Sequence, residues 1–229
     1  MIRKYLIVGL YFLVQSISAQ TPQENLSKII QVYQGDFTVT VNAKYRFYPE
    51  SGSNKIADSM QSLLVMHGED YYFRLGEVEM MNQNGYSVMS DQSGKQLLIS
   101  QSRNDVNAQS GLFEILNQTG AKLASFDPGN GLKGISIYYS GTDIVRADIV
   151  ADDHNYITKC ILYYQESIDW AAKKANYSKL EIIYSKPAIS HSVFPTNEYG
   201  LNRFVQLKKD GTFKASAKYS TYQLTDNTN

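Results

Sequence analysis

The chain reads as a mainly β protein (α+β): a large curved antiparallel sheet, or incomplete β-barrel, with short helices on its concave side. Three observations predict this. Residues 36–48 alternate apolar and polar side chains with a period of two, over a length that a long strand wet on one face sustains. Residues 60–100 divide into short apolar runs separated by Gly- and Asn-containing turn signals, as an antiparallel meander does. Helical periodicity is confined to two short stretches, within 21–34 and 102–120.

Residues 1–19 have the layout of a secretory signal peptide. Arg3 and Lys4 form a positive start, Tyr5 to Val14 an apolar core, and Gln15 to Ala19 a small or polar run with cleavage after Ala19. The competing reading, a membrane anchor, needs about 20 apolar residues, more than this core offers. The expectation is one exported domain over 20–229, periplasmic or secreted, with no integral membrane span once the signal is removed. Cys160 is the single cysteine, so no cysteine follows the signal to receive a lipid and no intrachain disulfide forms. Such a chain is held by its own core, for which about 210 residues suffice.

Basic and acidic residues balance at 22 each, and removal of Arg3 and Lys4 leaves 20 against 22. A slightly acidic surface excludes nucleic acid as a partner. The 18 tyrosines suit half-buried strands and amphipathic binding surfaces equally well.

Taken in order, residues 21–34 open with Thr21 and Pro22, an N-cap and first helical residue, and Glu24 completes a capping box. Leu26, Ile29, Ile30 and Tyr33 make one apolar stripe, and Gly35 stops the helix. In the next strand Phe37, Val39, Val41, Ala43, Tyr45 and Phe47 alternate with Thr38, Thr40, Asn42, Lys44 and Arg46. Inside the meander, Tyr71, Phe73 and Leu75 are apolar at odd positions, whereas Val78 and Met80 are apolar at even ones. A phase flip at Gly76 predicts a β-bulge or sharp bend there, with Glu77 and Glu79 on the wet side. Leu112, Ile115, Leu116 and Thr119 predict a second short helix ending at Gly120.

Three further strands are expected between 132 and 165, and another at 179–185. Residues 166–176, around Trp170, fit either a helical excursion or a loop. Lys209-Asp210-Gly211-Thr212 is a hairpin turn, and the last residues, Asp226 to Asn229, are expected to fray. The total is about eleven or twelve strands and two or three helices, roughly two layers of one domain.

Reaction chemistry is not evident. His67, His154 and His191 are far apart and lack metal-ligand spacing, so no metal or cofactor is implied. Cys160 alternates with Leu162 and Tyr164, as a buried structural thiol would. No Gly-x-Ser-x-Gly elbow occurs, and the Gly129, Gly131, Gly134 cluster lacks the Lys-Ser/Thr ending of a phosphate-binding loop. Glu77 and Glu79 could pair for acid–base work, but a solvated strand face explains them more simply. No catalytic residue is assigned. A transmembrane barrel is opposed by the interrupting helices and by wet faces charged in both signs.

Three stretches carry a family resemblance: ENLSKIIQVYQGDFTVTV, then DYYFRLGEVEMMNQNGYSVMSDQSGKQLLIS, then KLEIIYS with the C-terminal Asp-Gly hairpin. Their pattern resembles the LolA/LolB-like periplasmic lipoprotein carriers. That resemblance implies an unclosed barrel holding acyl chains in an apolar cavity, without catalysis. The usual tryptophan-containing segment after the first strands is replaced here by Asn84-Gly85-Tyr86, and no individual functional residue is carried over.

The one-sided strand beside the meander supplies the candidate lining of a ligand cavity: Val39, Val41, Tyr45, Phe47, Tyr71, Phe73 and Leu75. The alternative for the same residues is a filled core. Two functions follow. One is a periplasmic, non-enzymatic carrier or chaperone for an apolar ligand, a lipid or a lipoprotein acyl chain. The other is a non-catalytic interaction subunit of a cell-envelope or secretion assembly, whose partners are envelope proteins.

Overall fold

The computed structural model describes residues 21–50, 52–102, 121–165 and 178–228. The expected signal peptide, the second helix expected within 102–120 and the stretch around Trp170 lie outside them. The first described element is helix α1 (Pro22–Gln31), and its capping box is made in full. The Thr21 backbone N–H donates to Glu24 Oε2 at 3.0 Å, and the Glu24 N–H donates to Thr21 Oγ1 at 3.2 Å. Two of the otherwise orphaned N–H groups are thereby satisfied.

Six strands follow in a meander: β1 (Thr38–Tyr48), β2 (Asp58–His67), β3 (Asp70–Leu75), β4 (Val78–Gln83), β5 (Tyr86–Asp91) and β6 (Gln96–Gln101). A second run consists of β7 (Lys122–Phe126), β8 (Lys133–Tyr138), β9 (Ile144–Ala151), β10 (Ile157–Tyr164) and β11 (Lys179–Tyr184). The short β12 (Ala188–Ser190) also pairs with β1, and β15 (Gln223–Asn227) lies beside β6. Together they form a thirteen-stranded sheet in the order β15-β6-β5-β4-β3-β2-β1-β11-β10-β9-β8-β7, open rather than closed into a barrel. Every pairing is antiparallel except that of β15 with β6.

Gly76 does not bulge a single strand. It is the first residue of a two-residue hairpin turn, with φ of +56°, and Leu75 pairs directly with Val78 across it. Residues i and i+3 of such a turn share a face, so the apolar phase moves from odd to even without any bulge. The meander therefore has one strand more than its phase flip suggests.

Strand alternation separates two cores. The inner face, which carries α1, buries Leu26, Ile29 and Tyr33 against Val39, Val41, Ala43, Met66, Tyr71 and the apolar positions of β8–β11. The helix sits over β7 and β8. On the opposite, outer face, the intervening positions of β2–β6 are apolar as well: Val65, Tyr72, Met81, Val88, Leu97 and Ile99. They are covered by a C-terminal cap made of α2 (Thr196–Tyr199), two 3-10 turns (Leu201–Arg203 and Ala217–Tyr219) and the hairpin β13 (Val205–Leu207)–β14 (Phe213–Ala215). That hairpin is the one the Asp210-Gly211 signal predicts, and Asp210 Oδ1 accepts from the Thr212 N–H at 3.0 Å. Past the cap the outer face turns polar, with Arg46 bonded to Glu181 at 3.2 Å and Arg146 to Asp148 at 3.0 Å.

Glu79 corrects the expected wet rim. It faces the cap with only 2% of its side chain exposed, while Glu77 lies in the turn, so the two do not share a strand face. The buried carboxylate accepts from Arg203 Nη2 at 2.9 Å, Tyr219 Oη at 3.0 Å, Gln92 Nε2 at 3.1 Å and Lys218 Nζ at 3.2 Å. Burial pushes its pKa up, but the Arg203 and Lys218 cations outweigh burial and hold it below the ordinary carboxylate value. A buried charge survives only when paired and fully hydrogen-bonded, which this one is. The C-terminus is corrected too, since Asp226 and Asn227 extend a strand in parallel register with Ile99 and Ser100.

Two outcomes are expected in urea denaturation. Gly76→Ala, whose Cβ meets nothing closer than Met60 Sδ at 3.6 Å, loses roughly 1–2 kcal/mol from left-handed strain alone. Glu79→Ala, which strands the cap's cations, loses roughly 3–5 kcal/mol. Because the folded pKa of Glu79 is depressed, its contribution is present above the ordinary value of 4.5 and lost as pH falls through the folded value. A Glu79→Gln variant accordingly shows a flatter decline of stability in acid.

Candidate functional site

The register places the seven lining candidates on the inner face. Val39, Val41, Tyr45 and Phe47 occupy alternate positions of β1, and Tyr71, Phe73 and Leu75 alternate positions of β3. The first six belong to one packed cluster, and Leu75 lies between Ser62 and Val78 on the same face. Burial divides them. Val39, Val41 and Tyr71 are sealed at 1%, 7% and 9% exposure, whereas Tyr45, Phe47, Phe73 and Leu75 are only half-buried. The filled-core alternative thus describes one part of the face and an accessible apolar wall the other.

The accessible part extends beyond those residues along a register row running across six strands. Val41 pairs with Leu64, Leu64 with Phe73, Phe73 with Met80, Met80 with Met89, and Met89 with Leu98. Exposure rises along it from the sealed Val41 to Met89 at 41%. The row contains no charged side chain. Methionine is concentrated here, with Met60, Met66, Met80 and Met89 all on the inner face, and Met60 is 38% exposed. Thioether side chains are unbranched and polarizable and repack around irregular apolar partners. Met80 and Met89 are not found from the sequence, because a strand that continues through Gly76 leaves the methionines of neighbouring strands without an alignment. Once the Gly76 reversal is known, their equal distance from the Asn84-Gly85 turn pairs them.

The other half of the face, on β8–β11 and β1, is sealed at its centre. A row runs from Tyr45 through Ile182, Cys160 and Ile149 to Ile135, and its last four members are buried. Burial pushes the Cys160 thiol up to about 12, which keeps it protonated and unreactive, as a structural thiol is. Tyrosine hydroxyls are the polar component. Tyr33 Oη accepts from the Ile157 N–H at 2.9 Å, and burial raises its pKa to about 12. Burial likewise raises Tyr45, Tyr139, Tyr164 and Tyr184, each of which also senses Cys160.

The histidines do not build a reaction centre. His67 Nε2 lies 3.3 Å from Asp36 Oδ1, and its Nδ1 lies 3.3 Å from Thr38 Oγ1. The order Asp–His–Thr suggests a hydrolytic triad, but Thr38 is 4% exposed and donates its proton to the Ser192 carbonyl at 2.7 Å. A hydroxyl so engaged and sealed is a strand-to-β12 tie, not a nucleophile. His154 sits at the surface near Asp153. Among the described residues no group of three His, Cys, Asp or Glu side chains could hold a metal ion, and no helix is long and apolar enough to cross a membrane.

No protein-family model matches the chain, and no curated protein matches it in sequence. Solved structures do share its architecture. An uncharacterized conserved protein from Thermus thermophilus is similar over 91% of this chain and all of its own, with a TM-score of 0.50 at 7% identity. The structure is also similar to a putative outer membrane lipoprotein-sorting protein domain from Vibrio parahaemolyticus, over 77% of this chain and 97% of that one, with a TM-score of 0.38 at 8% identity. A LolA superfamily protein from Nitrosomonas europaea matches 79% of this chain and 98% of its own, with a TM-score of 0.36 at 10% identity. The likeness to the Thermus thermophilus protein is one of fold, and the inner face has to be understood from its own residues.

Proposed function

We propose that the protein is a non-enzymatic carrier or chaperone of the cell envelope, exported to the periplasm, that takes an apolar ligand such as a lipid or a lipoprotein acyl chain. The observation that carries this reading is the uncharged register row from Val41 to Leu98, which leads from a sealed core to half-open methionines. An apolar strip of this kind loses free energy in water for every square ångström it shows, and a ligand chain that covers it recovers that energy. The half-buried Tyr45, Phe47 and Leu75 widen the strip on β1 and β3.

The rival reading, an interaction subunit of an envelope or secretion assembly, draws on Val193 and Leu207, 79% and 59% exposed on the side of the cap. Single exposed apolar residues are common on monomeric proteins and mark a partner only when they merge into a patch. The inner row is such a continuous surface, and the carrier reading is therefore preferred.

Uptake of a fluorescent long-chain acyl probe tests it, together with native mass spectrometry for co-purified lipid. Met89→Asp, at an already exposed position, is expected to weaken uptake roughly tenfold while leaving the unfolding midpoint within error. Leu207→Asp on the cap is expected to leave uptake unchanged. If no lipid co-purifies and no probe binds, the reading fails; if crosslinking in cells then captures envelope proteins through Val193 and Leu207, the rival replaces it.

A further inference from the structure

Beyond the cap, the outer face of β7–β11 and β1 carries a row in which cations and tyrosines alternate. Lys122 pairs with Tyr138, Tyr138 with Arg146, Arg146 with Tyr163, Tyr163 with Lys179, and Lys179 with Tyr48. Neighbouring strands thus contribute a cation and a ring in strict turn, with no carboxylate in the row. Tyr48 closes it toward the middle of the sheet. That residue is 7% exposed, Lys179 Nζ lies 4.1 Å from its ring centroid, and its hydroxyl donates to Glu181 at 3.0 Å. The other positions are accessible, Lys122 and Tyr138 most of all.

Charge in this region is one-sided, although acids and bases balance at 22 each over the chain. Lys44, Arg46 and Lys159 add cations in the rows alongside, where the carboxylates are Asp148 and Glu181. Both acids are engaged within the sheet. Asp148 accepts from Ser136 Oγ at 2.7 Å and Arg146 Nη2 at 3.0 Å, and Glu181 accepts from Arg46 Nη1 at 3.2 Å as well as from Tyr48. Lys44, Lys122, Lys159 and Lys179 have no carboxylate partner among the described residues. Arg146 has donors to spare, since its Nε finds no acceptor among the described residues. Its guanidinium carbon lies 3.9 Å from the Tyr163 ring centroid, and that stacking holds the cation in the row. Cations that are positioned but not neutralised favour an anionic partner.

We propose that this row binds an extended acidic glycan in which uronate and neutral sugars alternate. A polymer laid across the strands meets a new side chain about every 4.8 Å, and a like side chain about every 10 Å. An extended pyranose chain takes a step of about one strand spacing per sugar, so successive sugars fall on successive strands. Carboxylates on every second sugar then pair with Lys122, Arg146 and Lys179. The neutral sugars between them set their C–H groups against Tyr138 and Tyr163, because the negative face of a ring attracts C–H and repels a carboxylate. An extended peptide advances about 3.3 Å per residue and falls out of step with the strands. An anionic bilayer offers charge without any matching period. The assignment is independent of the carrier reading, since it uses the opposite face of the sheet.

Calorimetric titration at low salt, where screening is weakest, tests the proposal. The probes are hyaluronan oligosaccharides, which alternate glucuronate with N-acetylglucosamine, polygalacturonate and poly-glutamate of matched length, and phosphatidylglycerol vesicles. Hyaluronan is expected to bind roughly threefold or more tighter than polygalacturonate, which sets a carboxylate over every ring. Tyr138→Ala, at an exposed position, is expected to lower hyaluronan affinity roughly two- to tenfold, and Lys122→Ala roughly two- to fivefold. Lys209→Ala, in the β13–β14 turn and outside the row, is expected to leave it unchanged. Polygalacturonate or poly-glutamate binding as tight as hyaluronan overturns the proposal, as does a Tyr138→Ala variant that keeps full hyaluronan affinity. Binding to the vesicles alone assigns the row to a lipid surface, and binding to none of the probes leaves it a solvated strand face; either result overturns the proposal.

Discussion

Strands β2–β6 are apolar on both faces, and most of the architecture follows from that constraint. A half-buried meander needs one covering layer; this one needs two, and the second must come from elsewhere in the chain. The C-terminal cap supplies it, anchored by aromatic contacts such as Tyr72 against Tyr199 at 4.7 Å and Tyr86 against Phe213 at 5.1 Å. Apolar contact alone does not fix orientation. The Glu79 carboxylate does, because its acceptor positions are matched by donors from three separate points of the cap and meander. Among the described residues, the helix on the inner face is α1, which sits over β7 and β8 at the other end of the sheet. The methionine row stands away from that helix.

The inner face therefore grades from interior to surface along its strands. Beneath the helix it has the composition of a filled core, with Ile135, Ile137, Ala147 and Ile149 all at 0% exposure. Toward β5 the branched aliphatics give way to methionine, which tolerates being uncovered and repacks readily. On the outer face Arg46 pairs with Glu181 across two strands, and Arg146 with Asp148 along one. One sheet thus presents a wet charged surface, a capped surface and a graded apolar surface.

Much of this is legible in the chain. The Thr21–Glu24 capping box and the alternation from Val39 to Phe47 are local patterns, and both are realised where the residues place them. The side of the sheet that the seven candidates share is legible for the same reason. Gly76 is ambiguous because a bulge and a two-residue reversal change parity identically, and only pairing partners tell them apart. Glu79 cannot be placed from sequence, since Arg203, Lys218 and Tyr219 lie more than a hundred residues away and nothing near Glu79 announces them. Strand β15 escapes notice because its side chains are mostly polar and exposed; backbone bonding to β6 makes it a strand, and composition carries little trace of that.

That last strand also bears on the order of assembly. Gln223 pairs with Gln96, whereas every pairing within β1–β6 joins strands adjacent in sequence. The hairpins of the meander close short loops and form with little entropic penalty, but β15 and the cap before it wait on a loop of more than a hundred residues. Until they arrive, β6 is an unpaired edge and the outer apolar face lies bare, the combination that draws chains together. Strand β15 is thus the piece that covers the β6 edge and retires the chain's stickiest intermediate.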